Sequence, residues 1–132
     1  MKPLTPNEFQ EVADRLGIQG VPAKAGAANS ARRMNKTEER FRRERVEPRV
    51  LAGELAAVMF EAVKFRLADR TWYTPDFVLI RTDGLIEVVE VKGGWWQEDA
   101  RVKWKVFAEQ HPWFAHRVEQ WDKEQWKVET YA

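Results

Sequence analysis

The sequence predicts a mixed α/β domain, a β-sheet flanked by helices, on three observations. Apolar strand-like runs recur between residues 58 and 92, with a turn signal set inside them. Helical periodicity precedes them from Asn35 and follows them over 97–110. Two further strand-like runs close the chain. An order of helix, strands, helix, strands suits a sheet covered by helices. The 132 residues leave room for one domain and an appendage, and a 44% hydrophobic fraction supplies a core.

Residues 1–19 read as a small helical appendage. Thr5 is placed to N-cap it, Pro6 to start it, and Phe9, Val12, Ala13 and Leu16 form an apolar stripe. Residues 20–33 are small and polar, a flexible linker. The domain proper is expected over 34–132. A helix starts at Asn35. Pro48 disfavours a helical Glu47, so a break or kink is expected there, with a second piece running to about Ala57. A strand over 58–67 would put Val63, Phe65 and Leu67 on one face, with a turn at Asp69-Arg70. A hairpin follows, with strands near 71–81 and 85–92. A helix over 97–110 is ended by His111-Pro112, and strands over 115–121 and 125–131 meet at a turn over 122–124.

Composition excludes more than it assigns. With no cysteine, disulfides and thiolate metal sites are ruled out, and a reducing cytoplasm is compatible. No apolar run approaches the roughly 20 residues of a membrane span, and no signal-peptide core is seen at the N-terminus. Net charge is +1, but basic residues crowd 32–49, among them Arg42 and Arg43, and recur at Arg101, Lys103 and Lys105. Such patches fit a phosphate-binding face; with acids interspersed they fit a solvated helix face equally well.

The hairpin carries the chemistry. Asp83-Gly84 marks its turn. A three-residue loop with Gly84 left-handed pairs Arg81 with Leu85, Ile80 with Ile86, Val78 with Val88 and Asp76 with Glu90. Two carboxylates then oppose each other with Cβ atoms roughly 5 Å apart, an unfavourable pair unless a cation lies between them. Lys92 shares that face. The bland alternative is Asp76 at a strand start and Glu90 in a surface ion pair with Lys92. Val88, Val89 and Val91 argue against it, because they look buried on both faces. In the upstream helix Met34, Glu38, Phe41 and Arg45 share one stripe, which turns Glu38 toward the sheet. Asn35-x-x-Glu38 also reads as a capping box, and spacing alone does not choose between the two roles.

Taken together, NKTEERF, TPDF and EVVEVKG resemble the PD-(D/E)XK nuclease superfamily, with Pro75-Asp76 as the PD and Glu90-Val91-Lys92 as the (D/E)XK. The fuller string RLADRTWYTPDF…EVKGGWWQEDARVKWKVF is similar to a phage-associated branch of small endonucleases related to Holliday-junction resolvases. The resemblance covers about residues 34–110 and leaves 1–33 without a counterpart.

The resemblance implies a restriction-endonuclease-like mixed sheet and a Mg²⁺- or Mn²⁺-dependent DNA endonuclease acting on junction or branched DNA. It implies metal ligation by Asp76, Glu90 and the Val91 carbonyl, with Glu38 or its neighbour Glu39 completing the site; helical phase favours Glu38. Lys92 would orient or deprotonate the attacking water, or stabilise developing charge. Gln97, Arg101, Lys103 and Lys105 would contact DNA phosphates. Arg101 and Lys105 share one face of their helix while Lys103 points elsewhere. Trp104, Phe107 and Ala108 read as that helix's core face. A homodimer in the bacterial cytoplasm, phage or prophage encoded, is the expected setting. A non-catalytic nucleic-acid-binding or nuclease-accessory module is the alternative, and a phage-type interaction domain that recruits a partner through its first helix is a third.

Overall fold

A computed structural model describes residues 33–131 together with Glu8 and Glu11, both helical. The appendage and linker expected over 1–33 otherwise lie outside the described residues. The chain enters as one helical arm made of α1 (Lys36–Phe41), a π-helical segment (Arg42–Val46) and α2 (Glu47–Leu51). Asn35 caps α1: its Oδ1 accepts from the Glu38 N–H, and Glu38 Oε1 accepts from the Asn35 N–H, both at 2.8 Å.

The break or kink expected at Pro48 takes the form of a π turn, after which a second α-helical piece, α2, starts at Glu47 with Pro48 in its first turn. Glu47 stays helical (φ −54°, ψ −43°), and its N–H bonds five residues back to the Arg42 carbonyl. The wider π turn makes room for a ring that would clash with the carbonyl four residues earlier, so the arm bulges ahead of Pro48. The arm also ends sooner than Ala57. Gly53 is left-handed (φ 75°), with the Gly53 N–H on Val50 O and the Glu54 N–H on Arg49 O. That is a Schellman stop, and Leu55 can then begin a strand.

Seven strands follow: β1 (Leu55–Phe60), β2 (Phe65–Ala68), β3 (Thr71–Tyr73), β4 (Phe77–Arg81), β5 (Ile86–Gly93), β6 (Ala115–Asp122) and β7 (Gln125–Thr130), with α3 (Glu98–Gln110) between β5 and β6. Five form a mixed sheet in the order β1-β4-β5-β6-β7, while β2 and β3 pair separately. Only β5 and β6 run parallel, and α3 carries the chain between them. Two expected strands are each two. The run over 58–67 breaks at residues 61–64, where Val63 plugs the core. The run over 71–81 breaks at 74–76, because Pro75 has no N–H for a ladder. The central hairpin keeps its expected register, with Ile80 against Ile86 and Val78 against Val88. Gly84 is left-handed (φ 92°), and the Arg81 N–H closes the loop on Leu85 O.

The sheet has a core on each face. Val78, Ile80, Val88 and Val118 meet Trp104 and Phe107 of α3 and the β2–β3 hairpin. Phe77, Leu79, Val89 and Val91 meet Phe41 and Val46 of the arm. β5 is therefore buried on both sides, which accounts for its unbroken apolar run. α2 buries no apolar residue. Arg49 holds it down by gripping Glu87 with both guanidinium nitrogens (2.9 and 2.6 Å). Arg45 and Arg117 each donate to buried Glu119 at 2.7 Å, and Arg117 also pairs with Glu87. Among the described residues, no helix is long and apolar enough to cross a membrane.

Candidate metal centre

Where β1 leaves the sheet and β4 enters it, the chain brings three carboxylates together. Phe60 pairs with Phe77, so Glu61 and Asp76 are the next residues on either side of that pair. The Glu61 N–H donates to the Asp76 carbonyl at 2.9 Å, and Glu61 takes a left-handed conformation (φ 47°). Asp76 Oδ2 accepts from the Val91 N–H of β5 at 2.8 Å. Glu38 arrives from α1. Its approach depends on Gly93, where a Cβ would lie 2.5 Å from Thr37 Oγ1. A bare backbone there lets the first turn of α1 close on the end of β5. One oxygen each from Glu38, Glu61 and Asp76 then lies within 4.8 Å of the others.

Glu38 thus fills both roles that its spacing left open: it completes the capping box and is buried at the cluster. Glu39 is exposed and pairs with Arg42 at 3.1 Å. Glu61 is the residue that the sequence reading passed over. A continuous strand over 58–67 hides it, whereas a strand ending at Phe60 puts it beside Asp76.

Glu90 is close by but stands outside this trio. It is buried, with Oε1 accepting from the Tyr73 hydroxyl at 2.6 Å and Oε2 lying 3.5 Å from Lys92 Nζ. The Tyr73 ring is itself fixed edge-on against Phe107, 4.7 Å between centroids. Lys92 is half-buried, its ammonium 5.6 Å from the centre of the Trp96 ring.

The crowding shows in the protonation of the site. Burial first, then the charges of Glu90 and Glu38, push Asp76 up to about 8, against the pull of the Val91 N–H. Burial and the Glu90 charge hold the Tyr73 hydroxyl protonated far above its ordinary range. Glu38 and Asp76 open onto a cleft of about 470 Å³ that they line with Lys92, Trp95, Trp96 and Gln97. The cluster's donors are all carboxylate oxygens, the set a hard divalent cation takes.

Most of the cations assigned to phosphates are already engaged. Arg42 lies between Glu39 and Glu47, and Arg43 is 3.6 Å from Glu44. Arg101 donates to Glu129 at 2.8 Å, and Lys103 to the Trp72 carbonyl at 3.2 Å. Lys105 is exposed on α3, and Gln97 caps that helix from the lip of the cleft. Trp104, Phe107 and Ala108 form the buried face of α3. His116 bonds to the His111 carbonyl at 2.6 Å, and both rings pack on Phe107 rather than near the carboxylates. Comparison with protein-family models, curated proteins and solved structures returns no match.

Proposed function

We propose that this chain is a Mg²⁺- or Mn²⁺-dependent DNA endonuclease with a restriction-endonuclease-like fold, hydrolysing phosphodiester bonds in junction or branched DNA. The observation that carries the reading is the convergence of Glu38, Glu61 and Asp76, with Glu38 and Asp76 on an open cleft that Lys92, the ion-pair partner of Glu90, also lines. Asp76, Glu38 and Glu61 would hold the ion, with Glu90 and the Val91 carbonyl at its margin. When bound, a divalent ion supplies a nucleophilic water at neutral pH and neutralises charge on the scissile phosphate. Lys92 would bring a second positive charge to that phosphate, its ammonium donating to the oxygen of the phosphate or of the attacking water. Tyr73 fixes the Glu90 carboxylate, so that Lys92 keeps one direction. The expected setting is a homodimer, since a junction offers two strands to cut, encoded by a phage or prophage and acting in the bacterial cytoplasm.

The test is incubation with Mg²⁺ and four-way junction, flap, duplex and single-stranded DNA. Asp76→Ala, Glu90→Ala and Lys92→Ala should each abolish cutting while circular dichroism is preserved; wild-type cutting by Asp76→Ala overturns the reading. One observation favours the alternative, a nucleic-acid-binding or nuclease-accessory module without catalysis. The basic arm spends its guanidinium groups on internal pairs such as Arg49–Glu87 and Arg45–Glu119, which leaves less positive surface for a phosphate backbone. Calorimetry with Mn²⁺ separates the two, because an accessory module has no need of metal at these carboxylates.

A further inference from the structure

Two consecutive tryptophans on the loop over 93–97 are used in different ways. Trp96 is anchored. Its ring packs edge-on to Trp104 at 6.1 Å, with Lys92 Nζ 5.6 Å and the Arg101 guanidinium carbon 5.1 Å from its centre. Trp95 is 81% exposed and, among the described residues, has no ring or cation contact. This is not fraying, because both neighbours are fixed. Gly94 is left-handed (φ 77°) and its N–H donates to the Trp121 carbonyl at 3.2 Å, while Trp96, partly buried, packs against the core. Trp113 makes a useful contrast. It is 64% exposed, yet it lies edge-on to His111 and Phe114. Trp95 instead presents an uncommitted indole on the lip of the cleft that holds Glu38, Asp76 and Lys92.

We propose that Trp95 is a stacking platform for an unpaired nucleobase of the strand whose phosphate enters this cleft. The proposal rests on the nuclease reading and narrows its substrate to nucleic acid with unpaired bases at the cut. The chemistry of the lip selects that partner. A cleft of carboxylates with one ammonium suits a phosphate brought in with a divalent ion, and an indole beside it matches the flat face of a base. A base inside a duplex has both faces covered by its neighbours. It becomes available to Trp95 in a single strand, at a fray or at a branch point.

The experiment measures binding by fluorescence anisotropy in Ca²⁺, with three fluorescein-labelled probes. These are a 20-nucleotide single strand, its blunt duplex, and the same single strand with abasic residues throughout its central half. Wild type should bind the single strand more tightly than the abasic strand. Trp95→Ala should lose roughly 5- to 150-fold on the single strand, the range corresponding to about 1–3 kcal/mol per stacked base. It should also erase the preference over the abasic strand and leave duplex binding alone, while Trp95→Phe keeps most of the affinity. Mn²⁺ affinity by calorimetry should be unchanged in Trp95→Ala. Wild-type single-strand affinity in that variant, an equal loss on all three probes, or a fall in Mn²⁺ affinity overturns the stacking role alone. A wild-type protein that takes up Mn²⁺ but binds none of the probes overturns the nuclease reading, and the stacking role with it.

Discussion

In the proposed site Asp76 would be a metal ligand, in a position that resists ionisation. Burial and the neighbouring Glu90 and Glu38 raise it from the ordinary aspartate range to about 8. A carboxyl whose folded value lies above its unfolded one costs stability in its charged form. The cost is fully present above about pH 8 and disappears as pH falls toward the ordinary value of 3.8. A divalent ion needs the charged form and must displace the proton below pH 8. Mn²⁺ affinity measured by calorimetry should therefore rise about tenfold per pH unit up to about 8 and level off above it. Asp76→Asn should raise the melting temperature of the metal-free protein at pH 8.5 and abolish Mn²⁺ binding. A flat Mn²⁺ affinity between pH 6 and 8 would count against this account. The sequence already carried this conflict, because the Asp83-Gly84 turn fixes the hairpin register and so brings Asp76 level with Glu90. It did not carry the partner. Glu61 lies one residue beyond the last pair of β1, and strand ends are set by tertiary pairing, which apolar periodicity does not report. The Tyr73 hydroxyl on Glu90 was equally hidden, because β3 reads as the start of β4 until Pro75 separates them.

At the scale of elements, the site depends on how closely α1 lies against the end of β5. Gly93 permits that approach: a Cβ there would meet Thr37 Oγ1 at 2.5 Å, Thr37 Cβ at 3.4 Å and Cγ2 at 3.5 Å. Truncating Thr37 to alanine removes the closest of these atoms. Gly93→Ala should push α1 outward, carry Glu38 away from Asp76 and weaken Mn²⁺ binding by an order of magnitude or more. The melting temperature should fall only modestly, since the contact lies at the edge of the fold. Combining it with Thr37→Ala should restore most of the Mn²⁺ affinity, and a double variant as weak as the single one would refute the steric account. A double-mutant cycle isolates this coupling because the two residues are in contact. Helical phase was enough to turn Glu38 toward the sheet. How near it comes is fixed by a glycine 55 positions later in the chain, and no local pattern encodes that distance. The same limit governs the arm. The restriction that Pro48 imposes is legible, but that a π turn absorbs it depends on Phe41 and Val46 both finding the core.

Across the whole molecule, the two ends of β5 carry opposite electrostatics. At its exit the charges of Glu90 and Glu38 crowd buried Asp76. At its start burial pushes Glu87 up, but hydrogen bonds from Arg49 and Arg117 outweigh it and hold the carboxyl at about 2. The sign is then the reverse of that at Asp76. A carboxyl held below its unfolded value contributes stability above about pH 4.5, and that contribution is lost as pH falls toward 2. Between about pH 8 and 4.5 the cleft gains stability on acidification while the Glu87 end keeps its own. The metal-free protein should accordingly be most stable near pH 5, not at neutrality. Saturating Mg²⁺ should move the optimum upward, because ion binding cancels the cost at Asp76 and requires its charge. Glu87→Gln tests the other limb. It removes the carboxylate that Arg49 and Arg117 share, leaving Arg49 with Glu54 and Arg117 with Glu119, and should cost about 1.5–3 kcal/mol at pH 7, the usual worth of hydrogen bonds to a charged group. It should also flatten the loss of stability below pH 4.5. Thermal melts from pH 2 to 9, with and without Mg²⁺, read both limbs together. An optimum for the metal-free wild type at or above pH 7 would mean that the Asp76 end does not oppose the Glu87 end, and that the carboxylates are less crowded than their geometry requires.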